Sequence, residues 1–451
     1  MIKPQLPSGM RDFLPGDMIR RAYVIDTISE VFQTFGYEPL QTPVMELKDT
    51  LLGKYGEDAE KLIYYAQHPQ GKEQLALRYD LTVPLARAFA MHEAELSLPF
   101  KRYQIAPVWR AERPQRGRFR EFYQCDADTV GVAGMEADAE SVNVIVMAMQ
   151  RLGFAKFAIK INNRKLLTGI GQYAGLTGDA LSNLYRSIDK LDKIGPEGVR
   201  GEMQKGGLEA TVIDKIMALV VDARPADPYG YTTGGTILAT MRKTLDAIPA
   251  AQDGLNELDQ MLKYLEAMNV PGEHIELDFS MVRGLSYYTG PIFEAVLLSD
   301  DPEERVGSVS GGGRYDDLIG LFRRESLPTV GMSLGIERLI TILEKRNAYP
   351  ADLSKTVVDV LVTVFTPETR SASMTLAARL REAGIRTELF MQDKQIGKQL
   401  GYADKKGIKI AAVLGPDEIA RGEAKFKRLS DQHEVVAKLE DTANTVRALL
   451  G

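Results

Sequence analysis

Residues 110–128 read RAERPQRGRFREFYQCDAD, with arginines at 110, 113, 116, 118 and 120 gathered around a Pro-Gln-Arg-Gly turn. The forked donors of a guanidinium match the oxygens of a phosphate, so arginine is the residue of choice for a bidentate grip on that group. Residues two apart on a strand share a face. Arg110 and Glu112 therefore point one way on an outgoing strand, and Arg118, Arg120 and Phe122 do so on the return. An antiparallel hairpin built from FKRYQIAPVWRAE and REFYQCDADTVG would line one sheet face with cations suited to a polyphosphate. A solvated, salt-bridged hairpin edge is the plainer reading of such a cluster. The turn chemistry and the flanking YQCDAD weigh against it.

Three later stretches add to this one. VRGLSYYTG, at 282–290, sets an arginine beside a glycine and follows it with two tyrosines. SGGGRYDDLIG, at 310–320, reads as a glycine-dense turn whose backbone can adopt positive φ and touch a ligand. GMSLGIERL, at 331–339, puts Arg338 one turn into a helix behind a glycine-lined start. The P-loop pattern G-x-x-x-x-G-K-[ST] does not occur, and GIGQYAG misses the dinucleotide fingerprint at its last glycine. The single cysteine, Cys125, and four scattered histidines leave no thiolate zinc site, no internal disulfide and no H-E-x-x-H. No metal-binding side chains are expected.

The elements that must carry these residues follow from periodicity and punctuation. Residues 17–35 show the helical repeat of Val24, Ile28, Val31 and Phe35, closed by Gly36. LALRYDLTVPLARAFA passes from a strand into a helix near Pro84, and 136–152 is a second helix. From about 170 to 272 the chain is polar, helical and broken by glycines, as an insertion would be. Strand character returns at HIELDFSMVRGLSYYTGPIFEAVLL. After NAYPADLSK, strands and helices alternate, which implies a small, mostly parallel α/β domain. At 451 residues the chain exceeds one compact core, and its 44% apolar and 26% charged composition is that of a soluble globular protein. A net charge of −6 argues weakly against nucleic acid, since a local basic surface can still bind it. No apolar run is long enough to cross a membrane, so a cytoplasmic protein is expected.

Taken in order, the motifs resemble class II aminoacyl-tRNA synthetases. Pro43 in LQTPVMEL is similar to their motif 1, the arginine hairpin to motif 2 and GMSLGIERL to motif 3. RGLSYYTG and SGGGRYDDLIG look like the two histidine motifs of the histidyl-tRNA synthetases, and the C-terminal region looks like their anticodon-binding domain. The resemblance implies an α+β fold with an antiparallel-sheet catalytic core. That core is expected at 1–169 and 273–346, with a helical insertion at 170–272 and an anticodon-binding α/β domain at 355–451.

It also implies roles. Arg110 would grip the α-phosphate of ATP, Glu112 the adenine amino group, and Arg118 and Arg338 the outer phosphates. Arg283 would stabilise charge building at the α-phosphorus, making it and Arg110 the catalytic pair. Asp80, Thr82 and Gln124 would meet the α-amino group of L-histidine, while Asp128 and Tyr288, with Tyr287 adjacent, would hold its imidazole. Ser286 departs from the family pattern, which more often has aspartate there. Magnesium on the β- and γ-phosphates, tRNA(His) as partner and a homodimer are further implications. The alternative is a non-catalytic relative, the regulatory subunit of ATP phosphoribosyltransferase. That relative lacks the anticodon domain, whereas this chain continues well beyond Arg338.

Overall fold

The computed structural model describes residues 2–52, 60–114, 117–282, 287–304 and 306–451. Arg116, Arg283 and Ser286 lie outside them. The chain forms two compact units: the segment up to Arg11 together with Val24–Ala348, and Asp12–Tyr23 together with Tyr349–Gly451.

The first unit is built on β1 (Glu38–Pro39), β5 (Phe100–Trp109), β6 (Glu121–Val130), β7 (Phe157–Asn163), β8 (Ile275–Leu277), β9 (Pro291–Leu297), β10 (Ser308–Arg314) and β11 (Thr329–Leu334). These form one sheet in the order β1-β5-β6-β11-β10-β9-β7-β8. Every pairing from β5 through β7 is antiparallel, and the short outer strands β1 and β8 join in parallel. A small sheet of β2 (Met45–Leu47), β3 (Tyr65–Ala66) and β4 (Leu75–Leu77) stands apart from it.

Register decides which side chains meet. β5 and β6 pair from Phe100 opposite Val130 to Trp109 opposite Glu121. Along β5 burial alternates strictly, with Phe100, Arg102, Gln104, Ala106 and Val108 as the buried set. Across from them on β6 stand Val130, Asp128, Asp126, Gln124 and Phe122. The opposite face belongs to the helix Glu136–Arg151, which packs across β6, β9, β10 and β11 and receives Lys101 through an ion pair to Glu140. One face of the central strands is thus left for polar chemistry. The helix Pro249–Ala267 packs against β7, the helix Arg164–Tyr173 and the helix Glu136–Arg151.

Two local readings need correction. Residues 310–313 are not a turn but the body of strand β10, and none of Gly311, Gly312 and Gly313 has positive φ. Their glycines are there for space. A Cβ on Gly312 would lie 2.2 Å from the carbonyl oxygen of Gly331, and one on Gly313 would lie 2.7 Å from that of Pro291. The arginine hairpin also differs in detail. Its strands stop at Trp109 and resume at Glu121, so the arginines sit in the connecting loop rather than in two facing rows.

The second unit carries β12 (Val360–Val362), β13 (Thr387–Leu389), β14 (Ile410–Val413), β15 (Glu423–Arg428) and β16 (Glu434–Lys438) in the order β13-β12-β14-β15-β16. β13, β12 and β14 are parallel, but β14, β15 and β16 are antiparallel. The sheet is therefore mixed rather than mostly parallel. EAKFKR alternates charged with apolar residues, and in the β15–β16 pair one side, carried by Ala424, Phe426 and Ala437, joins the core of Val360, Val362, Leu376, Leu380, Ile410 and Val446. The antiparallel core, the run of helices between its halves and the α/β C-terminal unit give the α+β class expected of a class II synthetase.

Candidate active site

The uncovered face of β6, β10 and β11 floors a cavity of about 720 Å³. Asp80, Thr82, Arg110, Glu112, Arg118, Gln124, Asp128, Tyr287, Tyr288 and Arg338 all line it. They come from chain positions more than two hundred residues apart, brought together by the register described above.

At one end the walls are cationic. Arg110 follows the last residue of β5. Its Nε donates to the carbonyl oxygen of Tyr79 over 3.1 Å, and its guanidinium lies 4.4 Å from the Tyr79 ring centre and 5.1 Å from that of Phe122. Arg118 stands 3.8 Å from Glu112, and both are partly in water. Arg338, at the start of the helix Ile336–Arg346, reaches back to the carbonyl oxygen of Ser308. Gly307 has φ +77°, and a Cβ there would come within 3.5 Å of Arg338 Nη1. Arg120 does not join them. Its Nε donates to the carbonyl oxygen of Glu112 over 3.0 Å and its Nη1 to that of Ser8 over 3.3 Å, so it braces the loop. Arg11 supports the same loop from the N-terminal segment, 3.2 Å from the Phe119 ring centre and 2.5 Å from Glu337 Oε2.

At the other end the walls are anionic and aromatic. Asp80 is buried, and its Oδ1 accepts from the backbone N–H of Val83 over 3.1 Å, fixing the start of the helix Thr82–His92. Asp128 Oδ2 lies 2.8 Å from Arg102 Nη2, with both side chains nearly excluded from water. The other oxygen of Asp128 accepts from the hydroxyl of Tyr315. Burial pushes the Asp128 carboxyl up, while Arg102 and Tyr315 pull it back. Tyr287 packs edge-on to Tyr315 at 5.6 Å and tilted against Tyr288 at 4.9 Å. Removal of water raises its hydroxyl well above the ordinary phenol value, so it stays a neutral donor.

Motif spacing alone does not single out Arg102, Asp126, Tyr315 or Ser333. Alternation along FKRYQIAPVW carries the signal for Arg102, because it falls among residues that must be buried. Asp126 sits between Gln124 and Asp128 on the same period-two face. Tyr315 immediately follows the glycine strand and its arginine.

Such a cavity can hold a ligand with an anionic chain at one end and a protonated, nitrogen-bearing group at the other. The comparisons with known proteins agree. Residues 9–339 match the family model described as histidyl-tRNA synthetase, and residues 359–449 match that of an anticodon binding domain. The chain is 37% identical to a histidine–tRNA ligase of Phocaeicola vulgatus, with 99% of each chain covered. It is 40% identical to the Aeropyrum pernix histidine–tRNA ligase, again over 99% of each. The crystal structure of histidyl-tRNA synthetase from Nostoc sp. PCC 7120 superposes with a TM-score of 0.86 at 32% identity, covering 99% of this chain and 100% of that one. On these matches, spanning the cavity and both compact units, the chain belongs to the histidyl-tRNA synthetase family.

Proposed function

We infer that the protein is a histidine–tRNA ligase, which activates L-histidine with ATP and transfers it to the 3′ end of tRNA(His). The observation that carries this is a single cavity lined both by the guanidinium groups of Arg110, Arg118 and Arg338 and by the carboxylates and phenols of Asp80, Asp128, Tyr287 and Tyr288. Full-length similarity to curated histidine–tRNA ligases supports it. The C-terminal anticodon-domain match weighs against the regulatory reading.

In the first step a carboxylate oxygen of histidine attacks the α-phosphorus of ATP, forming the acyl–phosphate bond as pyrophosphate leaves. Arg110 and Arg283 would stabilise charge at the α-phosphate, Arg118 and Arg338 would hold the leaving phosphates, and Glu112 would accept from the adenine amino group. Asp80, Thr82 and Gln124 would receive the α-ammonium. Asp128, with the phenols of Tyr287 and Tyr288, would receive the imidazole. No protein nucleophile is required, since the work is positioning and electrostatics in a partly dry site. In the second step a terminal ribose hydroxyl of the tRNA attacks the acyl carbonyl and AMP departs.

Among the described residues no three His, Cys, Asp or Glu side chains gather to hold a metal ion. Magnesium would be bound chiefly by the triphosphate itself, as this cation commonly is. The exposed apolar side chains Val44, Met45 and Leu47 in the motif 1 region favour a homodimer formed there. No helix among the described residues is long and apolar enough to cross a membrane. Aminoacylation tests the reading: purified protein should charge tRNA(His) with histidine in the presence of ATP and magnesium. A protein that forms no histidyl-tRNA contradicts it.

A further inference from the structure

Gln104 on β5, Asp126 on β6 and Ser333 on β11 lie in one row across adjoining strands beneath the cavity. Asp126 is 2% exposed, and none of the roles assigned above uses it. On the same face, Gln124 Nε2 donates to Asp126 Oδ1 over 3.4 Å and to Ser333 Oγ over 3.3 Å. Both contacts are long, so their importance lies in direction rather than strength. An ionised carboxylate only accepts, whereas a hydroxyl does both. Asp126 Oδ1 and Ser333 Oγ both face the Gln124 amide nitrogen, so together they fix which end of the amide points at them.

The Gln124 amide, in a side chain that lines the cavity, is thereby held with its NH2 end toward Asp126 and Ser333 and its oxygen turned away from them. That oxygen is buried and accepts no hydrogen bond among the described residues. A buried acceptor in this state costs free energy until a ligand brings a donor.

We propose that Asp126 is a positioning residue which, alongside Ser333 and through Gln124, makes the pocket select for the α-ammonium group of the amino acid. The proposal rests on the histidine-binding reading of the cavity. Asp126 faces Asp128 and Asp80, which add like charge, and Arg102, which opposes it; the phenol of Tyr287 is also near. Burial and the neighbouring carboxylates push its carboxyl up to about 7. An incoming ammonium adds a second cation to the one Arg102 supplies and draws Asp126 into its ionised, accepting form.

The test compares binding of histidine with that of imidazolepropionate, which keeps the ring and the carboxylate but has no amino group. Calorimetry on Asp126→Asn should show histidine weakened about ten- to hundredfold, the usual effect of losing a charge-assisted hydrogen bond, with imidazolepropionate and ATP nearly unchanged. Ser333→Ala keeps the charge and should move the same ratio in the same direction by less. It also carries the test should the first variant fold poorly. Equal weakening of both ligands, or an unchanged ratio in folded variants, overturns the proposal. Wild-type protein that does not bind histidine would instead remove the reading beneath it.

Discussion

Gly331 stands directly opposite Asp128 on neighbouring strands, and a Cβ on it would lie 1.8 Å from Asp128 Oδ1. The same space is bounded by the hydroxyl of Tyr315, 3.2 Å from that Cβ. The glycine therefore keeps a slot open for a buried carboxylate and its phenol. Gly331→Ala forces one of them to move. We expect a loss of stability of about 1–3 kcal/mol, the usual cost of overpacking. We also expect the KM for histidine to rise more than tenfold, an order-of-magnitude figure, while that for ATP changes little. Steady-state kinetics and thermal unfolding check both. An unchanged histidine KM would separate Asp128 from the amino-acid subsite.

Removing the Tyr315 hydroxyl probes the same slot from the other side. Tyr315→Phe leaves Asp128 paired with Arg102 but without its phenol donor. Losing one partner of a buried charged group costs about 1–3 kcal/mol, so histidine binding should weaken by roughly tenfold or more. Isothermal titration with histidine measures this directly, and equal affinity in the two proteins would count against the pair having any part in recognition.

What the sequence alone made legible has a physical pattern. The alternation of FKRYQIAPVW and the apolar period of the helix after Met135 are local signals, and both elements form where they predict. Arg110, Gln124 and Asp128 were visible because they fall within one short stretch around a turn. The Asp128–Tyr315 contact spans 187 residues and depends on which strands become neighbours, which no window of sequence contains. Glycines 311–313 misled because glycine serves two ends, positive φ and close approach of backbones, and composition does not say which. The hairpin β15–β16 is hard to see because most of its outward positions are charged, which hides a strand among loop-like residues.

Thermal unfolding against pH tests the electrostatics of Asp126 without any ligand. Its carboxyl is raised from an ordinary 3.8 to about 7, so the folded chain holds this proton more tightly than the unfolded one. The stability it contributes is fully present below the ordinary value and is lost as pH rises through 7. Asp126→Asn does not titrate and avoids that loss. Its melting temperature should exceed that of the wild type at pH of about 8, and the gap should close as pH falls toward about 5. A gap independent of pH over that interval would mean that Asp126 is not held in the environment described.

Arg283 is assigned its role by resemblance. Arg283→Ala should lower the rate of adenylate formation by ~10²–10³-fold, the usual effect of removing one such donor from a developing oxyanion. Rapid-quench measurement of adenylate formation checks it, and near-normal turnover would take Arg283 out of the chemistry.

In the second unit Lys394, Lys398 and Lys405 are exposed, whereas Lys406 is engaged with Glu388 and Tyr402. The three exposed cations suit a phosphate backbone. Binding of tRNA should fall steeply with salt, and changing the three exposed lysines to glutamine should flatten the slope by about one unit per lost phosphate contact. A salt response identical to that of the wild type would place the tRNA elsewhere.

A histidine–tRNA ligase requires that the cationic and anionic parts of one cavity serve ATP and histidine together. ATP–pyrophosphate exchange, run with each of the twenty amino acids in turn, measures this most directly. Exchange that is supported by histidine and by no other amino acid is the predicted result. Exchange with a different amino acid, or none with histidine, would contradict the account.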